Sequence, residues 1–201
     1  ALEAAVFVSD AWEISDKLLI NAGIRYSYFA AQGPSEQNVY QEGFPRNSGT
    51  FLETQSYGSG ETIANYGGPE IRASARYIIA PDFSIKAGYN NAYQFIHTLS
   101  NNTTVSPTDT WKLSDLNIKP QEQRQYSLGL FKNFDDDIYE LSLEGYYKDS
   151  DNILDYKVGA QLLLNEEIET EVLQGKGKAY GAELLLRKSK GKLNGWIGYT
   201  Y

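Results

Sequence analysis

Apolar and polar residues alternate one by one along eight segments of this chain, roughly 4–14, 18–32, 70–80, 83–96, 122–133, 138–149, 178–188 and 193–201. In the second segment Leu18, Ile20, Ala22, Ile24, Tyr26 and Tyr28 fall at every other position, with Asn21, Gly23, Arg25 and Ser27 between them. The third sets Ile71, Ala73, Ala75, Tyr77 and Ile79 against Arg72, Ser74 and Arg76. The sixth sets Tyr139, Leu141, Leu143, Gly145 and Tyr147 against Glu140, Ser142, Glu144 and Lys148, and the seventh sets Tyr180, Ala182, Leu184 and Leu186 against Gly181, Glu183 and Arg187. A strand points successive side chains to opposite faces, so each segment is predicted to be a strand with one apolar and one charged face. The first and last segments are less decided, because Trp12 and Trp196 fit either face.

Two environments produce this pattern: a sheet with one face on a protein core, or a barrel with lipid outside and water inside. Tyrosines recur towards strand ends, at Tyr26, Tyr28, Tyr77, Tyr89, Tyr139, Tyr147, Tyr180 and Tyr199, as an interfacial girdle requires. The strands are also long, when a globular strand has about 5–6 residues and a tilted membrane span about 9–11. Short turns at 15–17, 80–82, 133–137 and 188–192 alternate with long stretches at 33–69, 97–121 and 150–177. Bacterial outer-membrane barrels are connected this way, with tight turns in the periplasm and long loops outside the cell. The expected fold is therefore all-β, an antiparallel transmembrane β-barrel segment. Four short turns and three long loops are the reverse of a self-contained eight-stranded barrel with both ends in the periplasm. Both ends of the chain are accordingly expected on the extracellular side, and residues 1–201 are read as part of one larger barrel domain.

Composition changes this picture little. Mean hydropathy is −0.46 and no apolar run approaches the roughly 18 residues of a membrane helix. A barrel is indifferent to both, since only alternate strand residues meet lipid. A formal net charge of −8 disfavours a nucleic-acid partner. The chain has no cysteine, which excludes disulfides, thiolate catalysis and cysteine-based zinc sites. Strand pattern is already present at Ala1–Phe7 and persists to Tyr201, so both ends are read as internal to a longer protein.

Several stretches carry a family resemblance. Val6-Phe7-Val8-Ser9-Asp10 followed by Leu18-Leu19-Ile20-Asn21-Ala22-Gly23-Ile24-Arg25-Tyr26 resembles the strand–turn–GxRY pattern of TonB-dependent receptor barrels. Lys119-Pro120-Gln121-Glu122 leading into Gln125-Tyr126-Ser127-Leu128-Gly129-Leu130 is similar to another strand start of that family, and Glu144-Gly145-Tyr146-Tyr147-Lys148 with Asn152-Ile153 is similar to the strand that follows. The segment 175–183 with Gly195-Trp196-Ile197-Gly198-Tyr199-Thr200-Tyr201 resembles its G-x-x-x-G-x-E…G-W-x-x-Y-T hairpin. Together with Tyr93-Gln94-Phe95-Ile96-His97, Ser106-Pro107-Thr108-Asp109 and Trp111, the likeness is to receptors of Bacteroidetes-type bacteria. The resemblance implies about eight strands of a 22-stranded barrel in the outer membrane of a Gram-negative bacterium. It further implies a plug domain and remaining strands elsewhere in the protein, and import of a scarce nutrient, a siderophore, glycan or similar solute. The partners implied are outer-membrane lipid, the plug, an inner-membrane energy-coupling protein reached through that plug, and a surface lipoprotein; no cofactor is implied. A stand-alone barrel for adhesion or envelope structure, or a soluble tyrosine-rich β-sandwich binding carbohydrate, are the alternatives.

No nucleophile–base arrangement is legible, so no enzyme is expected. His97, the only histidine, stands at a strand–loop border without a companion. Asp135-Asp136-Asp137 lacks the spaced ligands of a calcium loop and reads as a solvated hairpin turn. Asn101-Asn102-Thr103-Thr104 contains glycosylation-type sequons, which carry little weight in a bacterial protein. Gly175-Lys176-Gly177-Lys178 has no P-loop spacing and reads as a return from loop to strand. The acidic stretch Asn165–Glu171 reads as a solvated piece of an outer loop. Better functional leads are the inward positions Arg25, Arg72, Arg76, Lys86, Glu140, Glu144, Glu183 and Arg187, which need water, mutual pairing or a plug to be stable and are the candidate lumen and ligand-facing residues. Loop aromatics Tyr40, Phe44, Phe51, Tyr57, Tyr66 and Trp111 are candidate contacts for ring-bearing solutes.

Overall fold

The computed structural model describes residues 1–99, 110–162 and 165–201. In chain order its strands are β1 (Leu2–Ser15), β2 (Leu18–Gln32), β3 (Ser35–Tyr40), β4 (Phe51–Tyr57), β5 (Thr62–Ala80), β6 (Phe83–Gln94), β7 (Ile96–Leu99), β8 (Thr110–Leu113), β9 (Gln121–Phe134), β10 (Tyr139–Tyr156), β11 (Val172–Lys188) and β12 (Gly195–Thr200). The sequence stretches Asn101–Thr104 and Ser106–Asp109 lie outside the described residues. Strands β1, β2, β5, β6, β9, β10, β11 and β12 form one sheet in that order, each antiparallel to the next. The two remaining pairs, β3–β4 and β7–β8, are small hairpins within stretches that read as loops from the sequence.

The tight turns are built from residues suited to them. Ser15 opposes Leu18 across Asp16–Lys17, and Ala80 opposes Phe83 across Pro81–Asp82. Asp135, Asp136 and Asp137 all take positive φ, 54°, 52° and 63°, a left-handed conformation that aspartate tolerates better than most residues. Asn133 Nδ2 donates to Asp137 Oδ1 at 2.7 Å and closes the turn.

One register runs across the sheet, and it fixes which side chains share a face. Asn21, Ser74, Gly88, Ser127, Tyr146 and Gly181 are successive partners from β2 to β11. One residue along, Ala22, Ala73, Tyr89, Tyr126, Tyr147 and Tyr180 form the next rung on the opposite face. A one-residue slip anywhere would exchange the faces, and none occurs through these rungs. The register also settles the two tryptophans: Trp12 opposes Ile20 on the apolar face, and Trp196 opposes Arg187 on the polar face.

The apolar face is not a protein core. Leu143, Leu184 and Leu186 remain 45%, 43% and 42% exposed, so no second sheet covers them among the described residues, and the soluble sandwich is not favoured. Aromatic residues bound this bare surface above and below. Tyr139 and Tyr147 on β10, and Phe134 and Tyr126 on β9, share the apolar face eight positions apart. Eight residues rise about 27 Å along a strand, or roughly 21 Å along the normal of a barrel tilted by about 40°. That height matches a hydrocarbon band, and Leu128, Leu130, Leu141 and Leu143 lie within it. Lys132 at its lower edge pairs with Asp82 and lies 5.7 Å from the Phe134 ring centre, its stem along the apolar surface and its ammonium at the boundary.

Among the described residues, packed clusters of buried side chains occur only at the long-loop end. Leu99, Ile118, Leu162, Ile168 and Val172 form one, and Phe29, Ala31 and Phe95 form another, with the Phe29 and Phe95 rings stacked at 4.9 Å. Here the strands outrun the sequence expectation. β5 starts at Thr62 rather than residue 70, β10 continues to Tyr156 rather than 149, and β11 starts at Val172 rather than 178. Gly67, Gly68 and Pro69 look like a break in the sequence, yet the glycines serve the pairing. A Cβ on Gly67 would stand 2.0 Å from the Ser27 carbonyl oxygen, so only glycine admits that approach. In β10 and β11 the charges of Asp151 and Lys176 mask the alternation but pair with each other at 2.9 Å. Above Arg72 and Asn90, where the β5–β6 ladder ends, the Asn91 side chain enters the seam. It accepts from the Ile71 N–H at 2.7 Å and donates to the Pro69 carbonyl at 2.9 Å.

Replacing Leu143 by Arg in the full-length protein is expected to destabilise the barrel by about 2–4 kcal/mol, the cost of a cation near the bilayer midplane. Ser142→Arg, one residue away on the polar face, should cost far less. Urea unfolding in lipid vesicles checks both, and equal losses would refute the facial assignment.

Candidate ligand-facing wall and loop platform

All eight charged residues singled out from the sequence fall on the polar face. Arg25 opposes Glu70, Arg72 opposes Gly23 and Asn90, and Arg76 opposes Lys86. Lys86 opposes Gly129, which opposes Glu144; Glu144 opposes Glu183, and Glu140 opposes Arg187. The structure pairs some of them. Arg25 lies 3.5 Å from Glu70 and 4.0 Å from Glu3, and its Nε donates to Ser27 Oγ at 3.0 Å. Arg187 lies 3.5 Å from Glu140, and Arg76 Nε donates to Ser84 Oγ at 3.2 Å.

Among the described residues Arg72, Arg76 and Lys86 have no carboxylate within ion-pair reach, and Glu144 and Glu183 have no cation. Arg25, Arg72, Arg76 and Lys86 stand on β2, β5 and β6, Glu140, Glu144 and Glu183 stand with Lys148 and Arg187 on β10 and β11, and β9 between them presents Gln121, Gln123, Gln125 and Ser127. Like charges directly opposite each other repel, as Arg76 does Lys86 and Glu144 does Glu183. A trough of about 1060 Å³ lies over the cationic half, lined by Asn21, Arg25, Glu70, Arg72, Lys86 and Asn90 among others. Glu70 is buried and also accepts from the Tyr93 N–H at 3.1 Å. Sequence reading passed over it, although its spacing of two from Arg72 put it on the same face.

Above the wall the three long connections lock together. A 3-10 turn at Ile168–Thr170 carries Glu169 inward, where it is 6% exposed. Its carboxylate accepts from Tyr40 Oη at 3.0 Å and Asn38 Nδ2 at 3.3 Å, both on β3. The acidic stretch is therefore not uniformly solvated: Glu166 and Glu167 are exposed, but Ile168 and Glu169 are buried. The apolar cluster around Ile168 draws the turn in, and the partners of Glu169 come from some 130 positions earlier, so no local signal announces them. Asn117 Nδ2 donates to the Asn38 carbonyl at 2.9 Å, and Lys157 Nζ to the Arg46 carbonyl at 3.3 Å. Gln174 clasps Lys119 through its amide, accepting from its N–H at 3.0 Å and donating to its carbonyl at 2.8 Å. Burial and the adjoining Glu169 charge push the Tyr40 phenol up to about 12.

The loop aromatics divide accordingly. Tyr40 is held by Glu169 and packs edge-on to Phe51 at 6.2 Å; Tyr66 donates to the Asp115 carbonyl at 2.6 Å, and Tyr57 to Gln55 Oε1 at 2.9 Å. Phe44 and Trp111 stand free, 58% and 62% exposed. Trp111 and Leu113 share a face of the β7–β8 hairpin with Thr98 and Ile96. On its other face His97 is buried, with Nε2 3.1 Å from Ser114 Oγ. Burial lowers the His97 pKa against the smaller opposing pull of Asp115. Among the described residues no three His, Cys, Asp or Glu side chains are placed to hold a metal. Gly175–Lys178 lies within β11, and Asp135–Asp137 is the solvated hairpin turn.

A lipid-girdled antiparallel sheet with a wet, charged inner face and docked outer loops is the wall of an outer-membrane β-barrel. This chain belongs to the TonB-dependent receptor-like β-barrel family, whose model matches residues 3–201, and it is a protein of the Gram-negative outer membrane. Among solved structures it is similar to a hemophore receptor of Serratia marcescens in complex with its hemophore and heme (TM-score 0.62, 15% identity, 99% of this chain and 33% of that one). It is also similar to the alcaligin receptor of Bordetella pertussis (TM-score 0.56, 15% identity, 99% and 29%) and to the ferripyoverdine receptor of Pseudomonas aeruginosa bound to ferripyoverdine (TM-score 0.56, 16% identity, 99% and 22%). The chain thus spans between 22% and 33% of the length of these receptors. No curated protein matches the sequence.

Two outcomes are expected of the loop platform. Tyr40→Phe removes a hydrogen bond to a charged acceptor, worth about 1.5–3 kcal/mol, and amide exchange around residues 165–171 should accelerate while the membrane strands stay protected. For His97 the folded pKa lies below the unfolded value of about 6.5, so its contribution is intact above that pH and is lost as the pH falls below it. Exchange in the β7–β8 hairpin should therefore rise on acidification below about pH 6.5, and His97→Gln should remove that dependence.

Proposed function

We propose that this chain forms part of the barrel of a receptor that binds a scarce nutrient outside the cell and passes it to the periplasm. The plug domain and the remaining strands are supplied by the rest of the protein, and an inner-membrane energy-coupling protein acts through that plug. The observation that carries the reading is the cationic half of the wall: Arg72, Arg76 and Lys86 have no carboxylate partner among the described residues, and Arg72 and Lys86 border an open trough. All three side chains are solvent-exposed, so they form an open cationic surface whose complement is an anionic one. A solute carrying carboxylate, phosphate or catecholate oxygens supplies one, and so does an acidic face of the plug. Phe44 and Trp111 on the outer loops provide stacking surfaces at the mouth for a ring-bearing solute. Binding and passage need no covalent step, and no side chain here is assigned a catalytic role.

In the full-length receptor, Arg72→Ala combined with Lys86→Ala is expected to reduce uptake of the limiting nutrient at least tenfold at unchanged surface abundance. Ser142→Ala, on the same face but outside the trough, should leave uptake intact. Undiminished uptake by the double variant would refute a role for the cationic wall.

A further inference from the structure

Three cations line the trough on the inner face, Arg25, Arg72 and Lys86, and among the described residues Glu70 pairs with only one of them. Glu70 stands directly opposite Arg25 in the β2–β5 register. It also lies two residues beyond Arg72, whose rung with Asn90 is the last between β5 and β6. There the Tyr93 N–H of β6 donates at 3.1 Å to one carboxylate oxygen of Glu70. The other oxygen lies 3.5 Å from Arg25 Nε. Both oxygens are thus committed, and the residue is only 8% exposed. Arg25 is gripped from two more sides: its Nε donates to the buried Ser27 hydroxyl at 3.0 Å, and its Nη2 lies 4.0 Å from Glu3.

Arg72 and Lys86 have the opposite surroundings. The residue across from Arg72 on β2 is Gly23, and the one across from Lys86 on β9 is Gly129. Both glycines are set by close approach: a Cβ on Gly23 would stand 2.9 Å from the Ser9 Cβ, and one on Gly129 2.8 Å from the Phe131 ring. A glycine offers no side chain to grip a cation across the strands, so Arg72 and Lys86 reach exposed into the trough. Arg25 and Arg72 are diagonal neighbours, with Cα atoms about 7–8 Å apart. An unfastened Arg25 guanidinium would therefore reach an anion seated on Arg72. Pairing with Glu70 removes that option, because it cancels the charge locally and ties the guanidinium to the wall. The wall offers a solute two cations where the sequence supplies three.

We propose that Glu70 is a positioning residue that sets specificity through Arg25: it withholds a third cation from the trough and so limits the anionic charge of the solute that the receptor accepts. The inference rests on the cationic wall taking an anionic solute. The test measures binding of phosphate, pyrophosphate and tripolyphosphate to the purified full-length receptor by isothermal titration calorimetry at low ionic strength, where such contacts are least screened. Glu70→Gln, whose amide oxygen still accepts from the Tyr93 N–H, is expected to bind tripolyphosphate at least fivefold more tightly than the wild type does, and phosphate within twofold. Arg25→Gln combined with Glu70→Gln removes the pair without leaving a charge, and should bind all three anions within twofold of the wild type. Unchanged heat-modifiable mobility on gels shows that the barrels are folded. No gain in Glu70→Gln, an equal gain for phosphate and tripolyphosphate, or a gain that survives in the double variant overturns the proposal. Where Glu70→Gln alone fails to assemble, the neutral double variant decides: a fivefold loss of tripolyphosphate affinity there shows that Arg25 already serves the solute, and overturns it. Arg72→Ala combined with Lys86→Ala separates the two readings. Absent binding by the wild type, or undiminished binding by that variant, refutes the cationic wall itself; its loss of binding beside failed Glu70 variants refutes only the role of Glu70.

Discussion

The unbroken hydrogen-bonded ladder is the constraint from which the rest of this structure follows. In hydrocarbon there is no water to satisfy a stray N–H or C=O, so every strand must find a neighbour along its whole membrane length. Once the ladder is continuous, the two-residue period of the strand assigns each side chain to lipid or to water without further choice. That is why Leu143 and Leu184 can stay uncovered while Glu144 and Glu183 beside them face inward. Stability here comes from pairing and from the surrounding lipid, and among the described residues dry packing is found at the loop end.

The membrane part was legible because each strand must repeat a two-sided pattern, and the solvent on each side is uniform. Leu18 to Tyr28 and Tyr139 to Tyr147 could be assigned by counting alone, and the charged residues between them share the face opposite these apolar positions. Above the aromatic row both faces of the sheet meet water or protein, and the pattern no longer binds. Gly67-Gly68-Pro69 looked like a loop and is strand; Asp149–Asn152 looked like a strand end and is a bulged continuation. Trp12 and Trp196 were undecided because an aromatic ring suits either surface, and only their partners Ile20 and Arg187 fix them. Glu169 was the least accessible of all, since its burial depends on β3 and on a cluster gathered from two other connections.

Charge and loop geometry act together at the outer end. The loops are joined by a few specific bonds, Tyr40 and Asn38 to Glu169, Asn117 to Asn38 and Gln174 to Lys119, so they form one body rather than three separate flaps. Beneath them the wall presents Arg72, Arg76 and Lys86 on one side and a mixed row of Glu140, Glu144, Glu183, Lys148 and Arg187 on the other, with an amide-rich strand between.

The Asn91 clasp has a mechanical meaning. By lending its amide to Ile71 and Pro69, it seals a seam that no longer has a backbone ladder. Glu70, accepting from the Tyr93 N–H, closes the same seam a little further on, so side chains there take over the part that backbone rungs play in the belt below.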